Sequence, residues 1–177
     1  MVTARTYNLF LVLRCFFYFL SPGRANKKIK EPGKILVAQL AKMGDMVCAT
    51  PIFRAVKNKY PDAKLCVMGD IVNKELLAGN RDVDKYMVWE KDIRKMRKFM
   101  ELEKFDLGVL TGPSPEVMAA LYLSGIPLIV APILKGGMSP LRTKSYALLA
   151  KLVQTREHRL GNYAPREYLR LLEPIGI

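Results

Sequence analysis

Histidine occurs once in this sequence, at His158, and tryptophan once, at Trp89. A single imidazole excludes a multi-histidine metal centre and leaves Ser/His chemistry no choice of base. His158 matches no catalytic arrangement and reads as structural. The three cysteines, Cys15, Cys48 and Cys66, keep no metal-ligand spacing and leave one unpaired. Buried, reduced thiols are the expectation, and no metal site is expected. No G-x-G-x-x-G follows the first predicted strand, where AKMGDM stands instead, and there is no G-x-x-x-x-G-K-[ST] phosphate loop. A dinucleotide-dependent oxidoreductase is therefore disfavoured. The front apolar run, Leu9 to Leu20, is twelve residues long with Arg14 inside it. A bilayer-spanning helix needs ~20 apolar residues. There is no internal repeat, no low-complexity segment, and no nucleic-acid-binding motif or aromatic-interleaved basic strand.

Half of the 177 residues are hydrophobic, enough for one domain core plus an appendage. The net charge is +13. Residues 1–34 hold seven Lys/Arg and one Glu, a net +6, and the other 143 residues contribute +7. Such an excess predicts anionic partners: a membrane surface or a phosphorylated glycolipid, with nucleic acid last.

Residues 1–33 read as the appendage and 34–177 as the domain, with Pro32-Gly33 at the boundary. The run LFLVLRCFFYFL could form a signal-peptide core. Arg14 and the basic SPGRANKKIK that follows favour an amphipathic interfacial helix instead. Leu9, Phe10, Val12, Leu13, Phe16, Phe17 and Leu20 would enter the leaflet. Arg14, Arg24, Lys27, Lys28, Lys30 and Lys34 would meet anionic headgroups, each worth ~1 kcal/mol. The other reading is a helix packed on its own domain or on a dimer partner.

Within the domain, Lys34–Leu40 predicts a buried strand because its apolar run is nearly continuous. A loop over Ala41–Gly44 leads to a helix with Val47, Phe53, Ala55 and Val56 inward. Thr50-Pro51 allows either a helix starting at Pro51 or one starting at Gly44 with the proline inside it. Further strands are expected at Ala63–Gly69, Asp84–Trp89, Phe105–Thr111 and Pro127–Pro132. Helices are expected at Ile71–Ala78, Lys91–Lys104, Glu116–Ser124, Ser145–Glu157 and Pro165–Pro174, with a loop over Lys135–Pro140. Ser114 suits an N-cap with Pro115 at the first helical position. Strands alternating with helices predict an α/β fold, a Rossmann-like doubly wound parallel sheet. Ligands bind such sheets at the carboxyl ends of the strands. Asp45 stands there, where it could cap the helix or act as a base.

The ordered set KILVAQLAKMGDMVCATPIFRAVKNKYPDAKLCVM, GNRDVDKYMVW, FDLGVLTG, YLSGIP and YLRLLEPIGI resembles the glycosyltransferase family 9 heptosyltransferases over residues 34–177. These enzymes transfer ADP-activated heptose onto the lipopolysaccharide inner core. The resemblance implies the N-terminal, acceptor-side half of a two-domain GT-B glycosyltransferase. It assigns Asp45 of the Gly-Asp motif as general base. The cleft residues are then Lys42, Met43, Gly44, Thr50, Gly112, Pro113 and Ser114, and the loop at Gly69-Asp70, at another strand end, is expected to line the same cleft. Anionic acceptor contacts are expected from Lys42, Arg142 and Lys144, and from Arg94, Lys95, Arg97 and Lys98. No cofactor is implied. The donor, an ADP-heptose-like nucleotide sugar, is expected on a C-terminal domain not included in this sequence, so this chain alone should turn over poorly or not at all. Expected partners are a glycolipid acceptor, an anionic membrane surface and a separate donor domain. The expected location is cytoplasmic, peripheral on the inner face of the cytoplasmic membrane. A non-catalytic membrane-associated binding module is the alternative.

Overall fold

The computed structural model describes residues 4–20, 29, 31–137 and 143–177. Lys34–Gln39 (β1) is the first and central strand. Its side chains alternate between faces, so Ile35 and Val37 enter one core while Leu36 and Ala38 enter another. An unbroken apolar run is what a strand covered on both faces requires.

The chain then alternates. Met43–Lys59 (α2) leads to Lys64–Gly69 (β2), and the short Val72–Leu76 (α3) leads to Lys85–Val88 (β3). Ile93–Glu103 (α4) precedes Leu107–Leu110 (β4), and Pro115–Leu123 (α5) precedes Leu128–Lys135 (β5). Lys144–Ala150 (α6), Gln154–Arg159 (β6) and Ala164–Leu169 (α7) follow, and a 3-10 turn over Arg170–Ile175 closes the described fold. In front of all these, Ala4–Phe19 forms α1.

All six strands run parallel in the order β3-β2-β1-β4-β5-β6. The expected doubly wound α/β sheet is therefore observed. The chain winds outward from β1 to β3, then returns to lay β4 on the other side of β1. Strand order reverses at β1/β4, where Ile35 pairs with Leu107 and Ala38 with Leu110. One face is covered by α2, α7 and the 3-10 turn, and the other by α1, α4, α5 and α6. Phe53 and Met118 are fully buried on opposite sides of the sheet. Burying a side chain of either type is worth about 1.5–3 kcal/mol.

Several expectations are corrected. The helix expected over Ser145–Glu157 stops at Ala150, and Gln154–Arg159 is a sixth strand. β6 lies at the sheet edge and pairs only with β5, so it tolerates a polar sequence, with His158 buried between exposed Glu157 and Arg159. β5 runs on through Pro132 to Lys135, which removes Lys135 from the expected loop. Its ladder with β4 ends at Val130, before the proline. Residues 138–142, which include the rest of that loop and Arg142, lie outside the described residues. The last expected helix divides into α7 and the 3-10 turn, with Pro174 inside the latter. Val47 was expected inward and is half exposed.

Helix α1 packs on its own domain. Leu11 and Cys15 are buried against the α5/α6 side, Val12 is half-buried there rather than outward, and Tyr18 meets Tyr122 edge-on at 6.1 Å. On the outer side Leu9, Phe10, Leu13, Phe16, Phe17 and Leu20 are exposed, as is Arg14. Arg24, Lys27, Lys28 and Lys30 lie outside the described residues. No described helix is long and apolar enough to cross a membrane.

Candidate functional site

The crevice at the strand-order reversal is built by two strand-to-helix turns. The first runs from β1 through Leu40–Lys42 into α2, and the second from β4 through Thr111–Ser114 into α5. They are tied together at the base: Thr111 donates its backbone N–H (3.0 Å) and its hydroxyl (2.9 Å) to the Ala38 carbonyl. Ser114 is the N-cap of α5, accepting from the Val117 N–H at 3.3 Å, and Pro115 is the first helical residue. This fixes where α5 begins and therefore where the Gly112–Ser114 loop ends.

Helix α2 starts early, at Met43, with Pro51 inside it. A proline there has no N–H for the Val47 carbonyl four residues back. The Thr50 hydroxyl donates to that carbonyl instead, at 2.8 Å. Thr50, expected in the cleft, therefore has its proton committed to repairing the helix. The N-cap is Lys42, in extended conformation and without a side-chain capping bond. Asp45 is the third helical residue rather than the cap, in the first turn at the positive end of the helix dipole.

Above the turns there is room. A Cβ added at Gly44 or at Gly112 would meet nothing within 4 Å. Met43 and Lys42 are exposed beside them, while Pro113 is buried. A cavity of about 310 Å³ adjoins the first turn, lined by Leu40, Ala41, Lys42, Met43, Asp70 and Asn73. Asn73, absent from the sequence-based set, is buried and donates its amide to the Ala41 carbonyl at 3.0 Å, joining α3 to the loop after β1. Gly69, at the end of β2, is closed. A Cβ there would stand 2.3 Å from Tyr86 Oη and 2.8 Å from the Gln39 carbonyl. Of the expected acceptor cations, Lys95 pairs with Glu90 and Arg97 with Glu101, while Arg94, Lys98 and Lys144 are exposed.

Two further residues hold Asp45, and the sequence did not reveal them. Tyr168, on α7 and only 6% exposed, donates its hydroxyl to Asp45 Oδ1 at 3.2 Å. Burial, reinforced by the Asp45 charge, pushes the phenol up to about 12, so it remains a neutral donor near pH 7. Gln39 is buried at the end of β1. Its amide donates to the Asp45 carbonyl at 3.4 Å and its oxygen accepts from the Ala41 N–H at 3.1 Å. A lone polar residue closing an apolar strand was the available signal for Gln39. Tyr168 left none, because 123 positions separate it from Asp45.

Behind Tyr168 lies His158, its ring centroid 5.2 Å away, with a buried Nδ1 that has no partner among the described residues. Burial holds the imidazole below its ordinary value and the Arg170 charge adds to this, while Glu167 and Asp45 pull the other way. Glu167 is buried yet ionised. Burial pushes it up, but bonds from Asn162 (2.9 Å) and the Arg159 N–H (2.8 Å), with Arg170 at 3.6 Å, hold it below the usual carboxylate range. Among the described residues, no group of three or more His, Cys, Asp or Glu could hold a metal ion.

No family model and no curated protein sequence matches this chain. Solved structures do match its fold. A glycosyl transferase family 9 protein from Veillonella parvula DSM 2008 superposes with a TM-score of 0.64 at 17% identity, covering 82% of this chain and 42% of that one. Escherichia coli heptosyltransferase WaaC with ADP gives 0.61 at 12%, over 81% and 47%. Escherichia coli ADP-heptose lps heptosyltransferase II gives 0.52 at 24%, over 56% and 30%. The chain spans less than half the length of each. At these identities the likeness establishes architecture alone: this chain has the Rossmann-like α/β fold found in glycosyltransferases of the GT-B type.

Proposed function

We propose that this chain is the acceptor-side domain of a heptosyltransferase-like glycosyltransferase. It would serve transfer of a heptose or similar sugar from a nucleotide sugar to a lipopolysaccharide-core or related glycolipid. The observation that carries this reading is a half-buried carboxylate, Asp45, at the strand-order reversal, beside the open space above Gly44 and Gly112. In the step, an acceptor hydroxyl oxygen bonds to the anomeric carbon as the bond from that carbon to the diphosphate oxygen breaks. Asp45 takes the hydroxyl proton, and the nucleoside diphosphate leaves with the electron pair. The charge on the leaving group would be met by a donor domain, such as the greater length of the matched proteins could supply. A positioned base contributes about 10²–10⁴-fold. With a donor-binding domain joined to the chain, Asp45→Ala should reduce sugar transfer from ADP-heptose to a phosphorylated lipid acceptor by that factor. Wild-type transfer by a folded Asp45→Ala protein would remove the mechanism.

A second reading, a non-catalytic membrane-associated binding module, is favoured by α1. Its outer side exposes Leu9, Phe10, Leu13, Phe16, Phe17 and Leu20 beside Arg14, and the sequence after it is basic. A buried apolar face plus basic residues is what interfacial binding to anionic lipid uses. The full chain should float with phosphatidylglycerol-containing vesicles. Phe10→Ser/Phe17→Ser should float less while melting at an unchanged temperature. Equal flotation of the variant would discard the membrane contact, and a concentration-dependent dimer lost in the variant would assign the stripe to a second copy instead.

A further inference from the structure

We infer that Tyr168 is the positioning residue of the site: its hydroxyl fixes the rotamer of the Asp45 carboxylate by holding Oδ1, and so leaves Oδ2 as the oxygen offered to the crevice. The inference deepens the proposed function and rests on it only for the word base. The contact itself is independent of any reaction.

Asp45 lies in the first turn of α2, where an Asp side chain has more than one staggered χ1 rotamer open to it. Among the described residues, the one side-chain hydroxyl bonded to it comes from α7, across the helix-to-helix contact between α2 and α7. Tyr168 is itself held by packing. It is 6% exposed, part of the core that contains Ile52, Phe53 and Leu172, and its ring lies against that of His158. Its oxygen is thus set by the packing of two helices rather than by a flexible stem. The Gln39 amide, itself buried, donates to the Asp45 carbonyl, so the backbone of Asp45 is held as well as its carboxylate. With one oxygen occupied by a donor that keeps its proton, an incoming acceptor hydroxyl meets the other.

The groups around the phenol are accounted for. From α2 come Asp45 and the Cys48 thiol, from β1 Gln39, from β6 His158, from α7 itself Glu167, and from the 3-10 turn Arg170. Glu167 is engaged by Asn162, Arg159 and Arg170, and so does not compete for the Tyr168 proton.

Tyr168→Phe removes the hydroxyl and keeps the ring. In the full chain, labelled with ¹³C and ¹⁵N, the three-bond couplings from Asp45 Cγ to its own N and C′ report the χ1 distribution. They should show one rotamer in the parent protein and averaged values in Tyr168→Phe. His158 is the only histidine, so its imidazole signals, unchanged in position class and dispersion, report that the fold survives the substitution. Asp45→Asn gives a second route that does not depend on Tyr168→Phe folding: removing the charge should lower the Tyr168 phenol titration from about 12. Couplings that stay at one rotamer in Tyr168→Phe, or a phenol titration indifferent to Asp45→Asn, would overturn the inference. The functional reading fails separately. If Tyr168 fixes Asp45 and transfer nonetheless survives Asp45→Ala, the positioning contact stands and the general base does not. If transfer needs Asp45 but the couplings ignore Tyr168, the base stands and the positioning role falls.

Discussion

Gly44, in the first turn of α2, and Gly69, the last residue of the neighbouring strand β2, should respond to alanine with stability changes of opposite sign. Gly44 is the second residue of α2, its φ is not in the left-handed region, and an added methyl meets nothing within 4 Å. Alanine in place of glycine in a helix is worth roughly 0.5–1 kcal/mol. For a domain of this size 1 kcal/mol corresponds to about 2–4 °C of melting temperature, so Gly44→Ala should melt roughly 1–4 °C higher. At Gly69 the same methyl would lie 2.8 Å from the Gln39 carbonyl, 2.9 Å from Met46 Cε and 2.3 Å from Tyr86 Oη. The Tyr86 hydroxyl could swing away only by giving up its 2.6 Å bond to the Asp70 carbonyl. The Gln39 contact is backbone and cannot yield without shifting β1. Overpacking of this kind costs about 1–3 kcal/mol, so Gly69→Ala should melt several degrees lower. Urea titrations followed by circular dichroism give both signs directly. The decisive second measurement is binding of a phosphorylated glycolipid acceptor. Gly44→Ala should weaken it while stabilising the fold, because the methyl projects into the crevice. A Gly44→Ala protein that melts lower than the parent would refute the open crevice. One that is stabilised and binds acceptor as well as the parent would place the acceptor elsewhere.

The buried imidazole predicts a pH dependence. His158 is held below its ordinary value of 6.5, mainly by burial, so the unfolded chain takes up a proton first as pH falls. Its contribution is present above about pH 6.5 and lost below it. Urea midpoints at pH 7.5 and 5.5 should therefore differ, and His158→Phe should flatten that difference. Within α2, Thr50→Val removes the donor to the Val47 carbonyl, but only matters while Pro51 denies that carbonyl a backbone donor. A double-mutant cycle with Pro51→Ala should return a coupling of about 0.5–1 kcal/mol, and strict additivity would show that the hydroxyl bond does nothing for the helix.

Much of this architecture was legible because the strands are apolar runs. Lys34–Gln39, Lys64–Gly69 and Leu107–Leu110 are buried on both faces, and burial on both faces leaves a continuous hydrophobic signature. Ser114-Pro115 located the start of α5 to the residue, since N-cap chemistry is local. β6 was not legible for the converse reason. QTREHR has one strand neighbour, one buried side chain and a charged rim, and its pairing with β5 is a tertiary fact. The site divides along the same line. Gly44, Asp45 and Gly112 could be placed at strand ends from sequence, and the structure brings their two turns together at the crevice. Gln39 and Tyr168 could not be, because what matters about them is where two distant helices and a strand end converge. Thr50 and Ser114 show the other limit: a residue type suited to a ligand is here spent on a helix.

The bond between Tyr168 and Asp45 also sets an order of events during synthesis. Asp45 leaves the ribosome 123 residues before the group that fixes it. At ~5–20 residues per second this is an interval of about 6–25 seconds. In that time β1, β2 and β4 can emerge and pair, and the crevice can take shape with its carboxylate still unheld. The carboxylate acquires its final geometry only when α7 docks on α2, so a nascent chain arrested before that point could carry most of the fold without the finished site.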